Sequence, residues 1–185
     1  MIHRLVLALV AALAAAPVAA QQVESTYTDL DLNACSVVNS DDFGTTWTCS
    51  GYKGIPVMVA EGDLRFFVSY GLHAPTEKAA EQTPPPFNRL GPRIEWRMSN
   101  AEGGWKPFAT ILRFFVADAE DSSKEHQLLV VTRLGTGTTC HVAYVDATAN
   151  ADANELARDA ADDLVPGFDC VDEPEIVGDF KAWDN

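Results

Sequence analysis

Positive charge is scarce in this chain: 13 Lys and Arg stand against 27 Asp and Glu, a formal charge of -14 at pH 7. Each phosphate contact needs a cation, so duplex DNA, RNA and anionic lipid surfaces are poor partners. A basic protein, a polycation or a divalent metal suits the charge better, beside the plain role of keeping an exported protein soluble. Phosphate-binding loops are missing too. Gly91 and the Gly103–Gly104 pair precede no glycine-rich helix start, so neither a P-loop nor a dinucleotide fingerprint exists. There is no G-x-S-x-G elbow, and Ser69, inside a strong strand pattern, has no base near it in sequence. The cysteines include no C-x2-4-C pair, which argues against a thiolate zinc site, and Asp118, Glu120 and Asp121 lack the ligand spacing of an EF-hand.

What is present begins with a leader pattern over residues 1–20. His3 and Arg4 precede an apolar run from Leu5 to Ala16, and Val18 and Ala20 supply small residues before Gln21. The competing reading is an uncleaved anchor, but the run falls short of the roughly 20 residues of a membrane span and breaks at Pro17. Cleavage predicts a periplasmic or secreted protein with no stable membrane insertion. Removing the leader takes away Arg4 and no acid, which leaves 12 basic residues and a formal charge of -15. Residues 21–185 are the right length for a single domain with its own core.

All four cysteines, Cys35, Cys49, Cys140 and Cys170, follow the leader, and an even count outside the cytoplasm points to two disulfides. Of the three pairings, Cys35 with Cys49 and Cys140 with Cys170 is preferred. The first clips a turn rich in Asp, Ser and Gly; the second ties the C-terminal segment to a strand.

Strand patterns dominate the rest. Gln21–Asn33 reads as an edge strand, Ser40–Thr46 as a turn region, and Pro56–Ala60 with Leu64–Tyr70 as a hairpin. The stretch from His73 to Arg93, with Pro84, Pro85 and Pro86, is a long loop with helical turns near Thr76–Gln82, and it is the leading contact surface. Ile94–Met98 alternates. Phe108–Val116 is apolar on both sides and belongs in the centre of a sheet. Gln127–Leu134 and Thr139–Val145 form a second hairpin. The one convincing helix runs from Ala153 to about Leu164, with Asp152 and Glu155 at capping-box spacing and Pro166 and Gly167 ending it. Its apolar stripe is Ala153, Leu156, Ala157, Ala160 and Leu164; Asp159, Asp162 and Asp163 face solvent. The tail from Asp172 is acidic and expected to pack loosely. Consecutive strands with short turns favour an antiparallel meander, hence an α+β domain: a mainly antiparallel curved sheet with one C-terminal helix packed on it.

The candidate chemistry is thin. His73, His126 and His141 are scattered, and Glu61, Asp63 and Glu95 are the carboxylates nearest strand ends, in a chain where 27 acids make chance pairs certain. The least expected pattern is an arginine inside each of four strands, Arg65, Arg97, Arg113 and Arg133. Together they would make a cationic stripe for a carboxylate or phosphate; apart, they pair with neighbouring acids. Trp96, Trp105, Phe66 and Phe114 read as core rather than as a sugar platform. No catalytic residue, metal or cofactor is assigned. The contact residues of the proline-rich loop are Phe87, Arg89 and Arg93.

The segments YTDLDLNAC, GIPVMVAEGDLRFFVSYG, PPPFNRLGPRIEWR, WKPFATILRF, LVVTRLG and CHVAYVDATAN resemble a group of uncharacterised exported alphaproteobacterial proteins, which implies no activity. More distantly, Trp47-Thr48-Cys49 and the following strand resemble periplasmic inhibitors of C-type lysozyme, which are disulfide-clipped antiparallel barrels; the helix, the proline-rich loop and the length depart from them. The expected function is a non-catalytic secreted or periplasmic protein-binding module whose partner is an envelope or basic protein. The alternatives are an inhibitor of a basic enzyme such as lysozyme, and an envelope hydrolase.

Overall fold

A computed structural model describes residues 22–101, 103–118, 121 and 123–183. The leader segment and Glu120 lie outside the described residues. Among these residues ten strands and one α-helix follow in order: β1 (Val23–Asp29), β2 (Ser36–Asp41), β3 (Gly44–Ser50), β4 (Pro56–Gly62), β5 (Arg65–Tyr70), β6 (Asn88–Ser99), β7 (Lys106–Ala117), β8 (Glu125–Arg133), β9 (Cys140–Asp146), α1 (Ala153–Leu164) and β10 (Glu175–Ile176). The chain is α+β and mainly antiparallel, with α1 packed on a sheet. The strands divide between two sheets, ordered β1-β6-β7-β8-β9-β10 and β2-β3-β4-β5; among the described residues only β10 runs parallel to its neighbour. Two meanders are thus built where sequence order alone suggests one, because β1 pairs with β6 across the whole second sheet.

Period-two alternation makes three layers. The row Ile94–Leu112–Val130–Tyr144 crosses four strands and packs, with Trp96 and Phe114, against Val57, Val59, Val68 and Tyr70 of the smaller sheet. The opposite row, Glu95–Ile111–Val131–Ala143, lies under α1. There Ala153, Ala157, Ala160 and Ala161 meet Ala109, Val131, Ala143 and Val145, small side chains that let the helix lie close. β7 and β8 are therefore covered on both faces, which explains the doubly apolar run over Phe108–Val116.

The disulfides are Cys35–Cys49 and Cys140–Cys170. The stretch read as a loop from His73 to Arg93 ends at Phe87, because β6 begins at Asn88 and its first residues pair with β7; residues 73–87 cover sheet edges. The Glu77 carboxylate accepts from Gly137 N at 2.7 Å and Thr139 N at 3.0 Å, Ala79 N donates to Thr139 O, and Gln82 Oε1 accepts from His141 N, which closes the start of β9. β10 closes the rest of that edge. Unpaired ladder groups are a template for aggregation, so covering them has a clear physical use.

Some local readings need correction. The Asp152 side chain makes no cap; its carbonyl alone receives Glu155 N and Leu156 N. Asp162 faces Arg97 rather than open solvent. Trp105 is 37% exposed and is not core. The turn inside Ser40–Thr46 shrinks to residues 42–43 between two strands. The C-terminal tail is docked: Trp183 lies edge-on to Tyr144 and Phe180, Ala182 is buried, and Lys181 N donates to the buried Asp146 carboxylate. Gly178, at φ 81°, allows that path, since a Cβ there would press on Asn150 and Leu156.

Candidate functional site

Two hairpin tips and the end of the proline-rich loop meet at one end of the smaller sheet. At the β2–β3 tip, Asp41 Oδ1 accepts from Phe43 N at 2.9 Å and Gly44 N at 3.2 Å, a side-chain turn that leaves Phe43 88% exposed. At the β4–β5 tip, Asp63 and Leu64 take φ values of 54° and 60°, positions usually filled by Asn-Gly. Holding Leu64 left-handed costs about 1 kcal/mol, yet its side chain is 63% exposed. A Cβ on Gly44 would collide with the Glu61 carbonyl, so glycine lets the two tips approach.

Asn88 fastens the loop beside them. Its Oδ1 accepts from Phe66 N at 2.9 Å, and its Nδ2 donates to Thr83 Oγ1, Pro84 O and Pro86 O. Its own backbone N–H bonds Leu64 O at 3.0 Å. This arrangement stands Phe87 out, 53% exposed. Beside the β4–β5 tip and the end of the loop, and not reaching Phe43, runs a groove of about 400 Å³ whose lining includes Trp47, Glu61, Leu64, Phe66, Phe87 and Phe115. Asn88→Ala leaves several buried backbone groups short of a partner and is expected to lower the unfolding free energy by about 2 kcal/mol. Urea unfolding measures the loss; equal midpoints, or unchanged amide exchange at Phe66, would refute the hub.

Charge around the groove is arranged in pairs with one exception. Arg89 grips Glu125 with Nε to Oε1 at 3.0 Å and Nη2 to Oε2 at 2.6 Å, while its guanidinium lies 3.8 Å above the Phe115 ring centre. The bond to Arg89 holds the Glu125 carboxyl below its ordinary range and raises Arg89 in turn. Arg65 pairs with Asp63 at 2.7 Å. Glu61 accepts only from Leu64 N, at 3.2 Å, and no cation among the described residues comes within ion-pair distance of it.

Of the loop residues singled out from sequence, Phe87 and Arg89 line this groove; Arg93 stands apart, 3.6 Å from Asp29 and over the Tyr27 ring. The four strand arginines do not gather. Arg65 belongs to the smaller sheet. Arg97, Arg113 and Arg133 share the helix-facing side of the larger one but are taken separately, by Asp162 and Ser25, by Gln127 and Asn154, and by the Phe168 carbonyl. Burial lowers the Arg113 pKa.

The histidines are likewise dispersed. His126 sits between Asp118, at 2.9 Å, and Asp146 near the start of β8; His141 lies at the far end of the β8–β9 hairpin, buried against Tyr144 Oη at 2.9 Å; His73 is exposed. Asp118 and Asp121 accept bonds within their own loop, and among the described residues no group of three or more His, Cys, Asp or Glu is placed to hold a metal. Glu95 is bound by Arg158 and Ser25. Sequence reading missed Asn88, Trp47, Leu64, Phe115 and Glu125 at the groove. The available signal was local: an Asp-Leu pair in a two-residue hairpin loop, and an asparagine directly after Pro-Pro-Pro-Phe.

No family model, curated protein or solved structure matches the chain.

Proposed function

We propose that this protein is a non-catalytic periplasmic or secreted module that binds another protein through the groove beside Phe87. One observation carries the reading: Phe43, Leu64 and Phe87 are held out into solvent at adjoining tips, by side-chain hydrogen bonds and a left-handed leucine. Clustered exposed apolar groups fixed at local cost are what a docking surface needs. The two disulfides fit an oxidising compartment, and among the described residues no helix is long and apolar enough to cross a membrane.

Capture from a native envelope extract tests it, with the purified disulfide-bonded protein and its Leu64→Ser/Phe87→Ala variant as baits. A partner retained by the wild type and at least tenfold less by the variant is the expected result, allowing for about 2 kcal/mol from two interface side chains. Identical retention would refute the groove. The alternative, inhibition of a basic enzyme such as lysozyme, draws on the five carboxylates Asp41, Asp42, Glu61, Asp63 and Glu125 at this end of the molecule. It requires nanomolar inhibition that weakens as salt rises from about 0.1 to 0.5 M.

A further inference from the structure

Among the described residues, Glu61 is the groove carboxylate left without a cation, and its surroundings define what would complete it. It sits partly buried on the face that carries Trp47 and Phe66, in register with Thr45 on one side and Phe66 on the other. Its Oε1 takes the Leu64 amide, and among the described residues its Oε2 takes no hydrogen bond. A partner that covers the groove must strip water from this charge. An apolar plug would leave the carboxylate uncompensated, which is costly in a half-buried apolar setting, whereas a cation offsets the loss.

The molecule fills similar settings elsewhere with its own arginines. Arg89 lies on Phe115 and binds Glu125; Arg93 lies over Tyr27 beside Asp29; Arg158 bonds both the Tyr27 hydroxyl and Glu95. The first two join an aromatic ring, a carboxylate and a guanidinium, while Arg158 meets its tyrosine through the hydroxyl. Around Trp47, Phe66, Phe87 and Glu61 the groove supplies ring and carboxylate, while its lining guanidinium, Arg89, is held by Glu125 and not by Glu61. We infer that the groove takes one arginine or lysine side chain of the partner protein, flanked by apolar residues, with its cation on Glu61 and its stem against Trp47, Phe66 and Phe87. This rests on the protein-binding reading and names the chemistry of the partner.

The test is an amide and indole NMR titration of the purified disulfide-bonded protein. The probes are the capped peptide Gly-Leu-Arg-Leu-Gly, the same peptide with uncharged citrulline for arginine, and a neutral chito-oligosaccharide. The arginine peptide is expected to shift the Trp47 indole and the Leu64 and Asn88 amides, with the citrulline peptide at least tenfold weaker. Glu61→Gln, which keeps an acceptor for Leu64 N, is expected to erase that difference. Equal binding of the two peptides, discrimination that survives Glu61→Gln, or preference for the saccharide would overturn the inference. A captured partner that needs Leu64 and Phe87 but ignores Glu61→Gln, with no peptide binding, sinks the cation site alone. No partner and no peptide binding sinks the protein-binding reading with it.

Discussion

Replacing Arg97 with alanine is expected to destabilise the protein by about 3 to 5 kcal/mol, the range for breaking a buried ion pair from one side. Arg97 on β6 is almost fully buried and holds Asp162 of α1 through Nε and Nη2, while Nη1 donates to Ser25 Oγ at 2.6 Å. Ser25 in turn donates to Glu95, and Glu95 binds Arg158 at 2.6 Å. Residues two apart on a strand, Glu95 and Arg97, therefore face residues four apart on the helix, Arg158 and Asp162, with opposite charges in matching order. The contact sets the helix's position along the sheet, because a slip by one turn would bring like charges together, Arg158 onto Arg97 or Asp162 onto Glu95. The alanine-rich helix interface alone is smooth and would not prevent that slip. Urea unfolding of Arg97→Ala, Asp162→Ala and the double variant gives the coupling directly. A single-variant loss under about 1 kcal/mol would show that the network contributes little to stability.

Acid is expected to weaken the fold through His141. Its ring is buried against Tyr144, and burial pushes its pKa down from 6.5 to about 3. The unfolded chain binds the proton near the ordinary value, while the folded chain refuses it until about 3, so the unfolded state carries more protons throughout that window. Stability contributed by neutral His141 is thus fully present above pH 6.5 and falls as pH drops toward 3, at up to about 1.4 kcal/mol per pH unit. Between pH 7 and pH 4 the loss is on the order of 3 kcal/mol. His141→Gln, which does not titrate, is expected to flatten that part of the profile; measuring urea midpoints from pH 7 to 4 for both proteins isolates the histidine from the many carboxylates. Parallel profiles would mean that His141 is protonated in the folded state at little cost.

The groove was only partly legible before folding. Phe87 and Arg89 stood out because prolines and an aromatic break a strand pattern, and that loop does border the groove. Leu64 read as the first residue of a strand, since alternation cannot tell the last turn residue from the first strand residue. Glu125 and Phe115 looked unrelated to Arg89, being separated from it by 36 and 26 positions, until the β6–β7–β8 register brought them together. The arginines illustrate the opposite error. Equal placement on strands suggested a stripe, but Arg65 belongs to the other sheet and the rest are held by acids, amides and a carbonyl from distant segments.

The sequence by itself determined the elements that depend on neighbours along the chain: the alternating strands, the doubly apolar β7, the helix between its flanking signals, and the α+β class they compose. The disulfide pairs also followed the preference formed from sequence. Tertiary structure decided the division into two sheets, the anchoring of the tail, the network that seats α1 and the meeting of Glu61 with Trp47, Phe66 and Phe87. Each of these depends on contacts between residues far apart in the chain. A periodic pattern states which face of an element is buried, but it carries no information about which distant face will cover it.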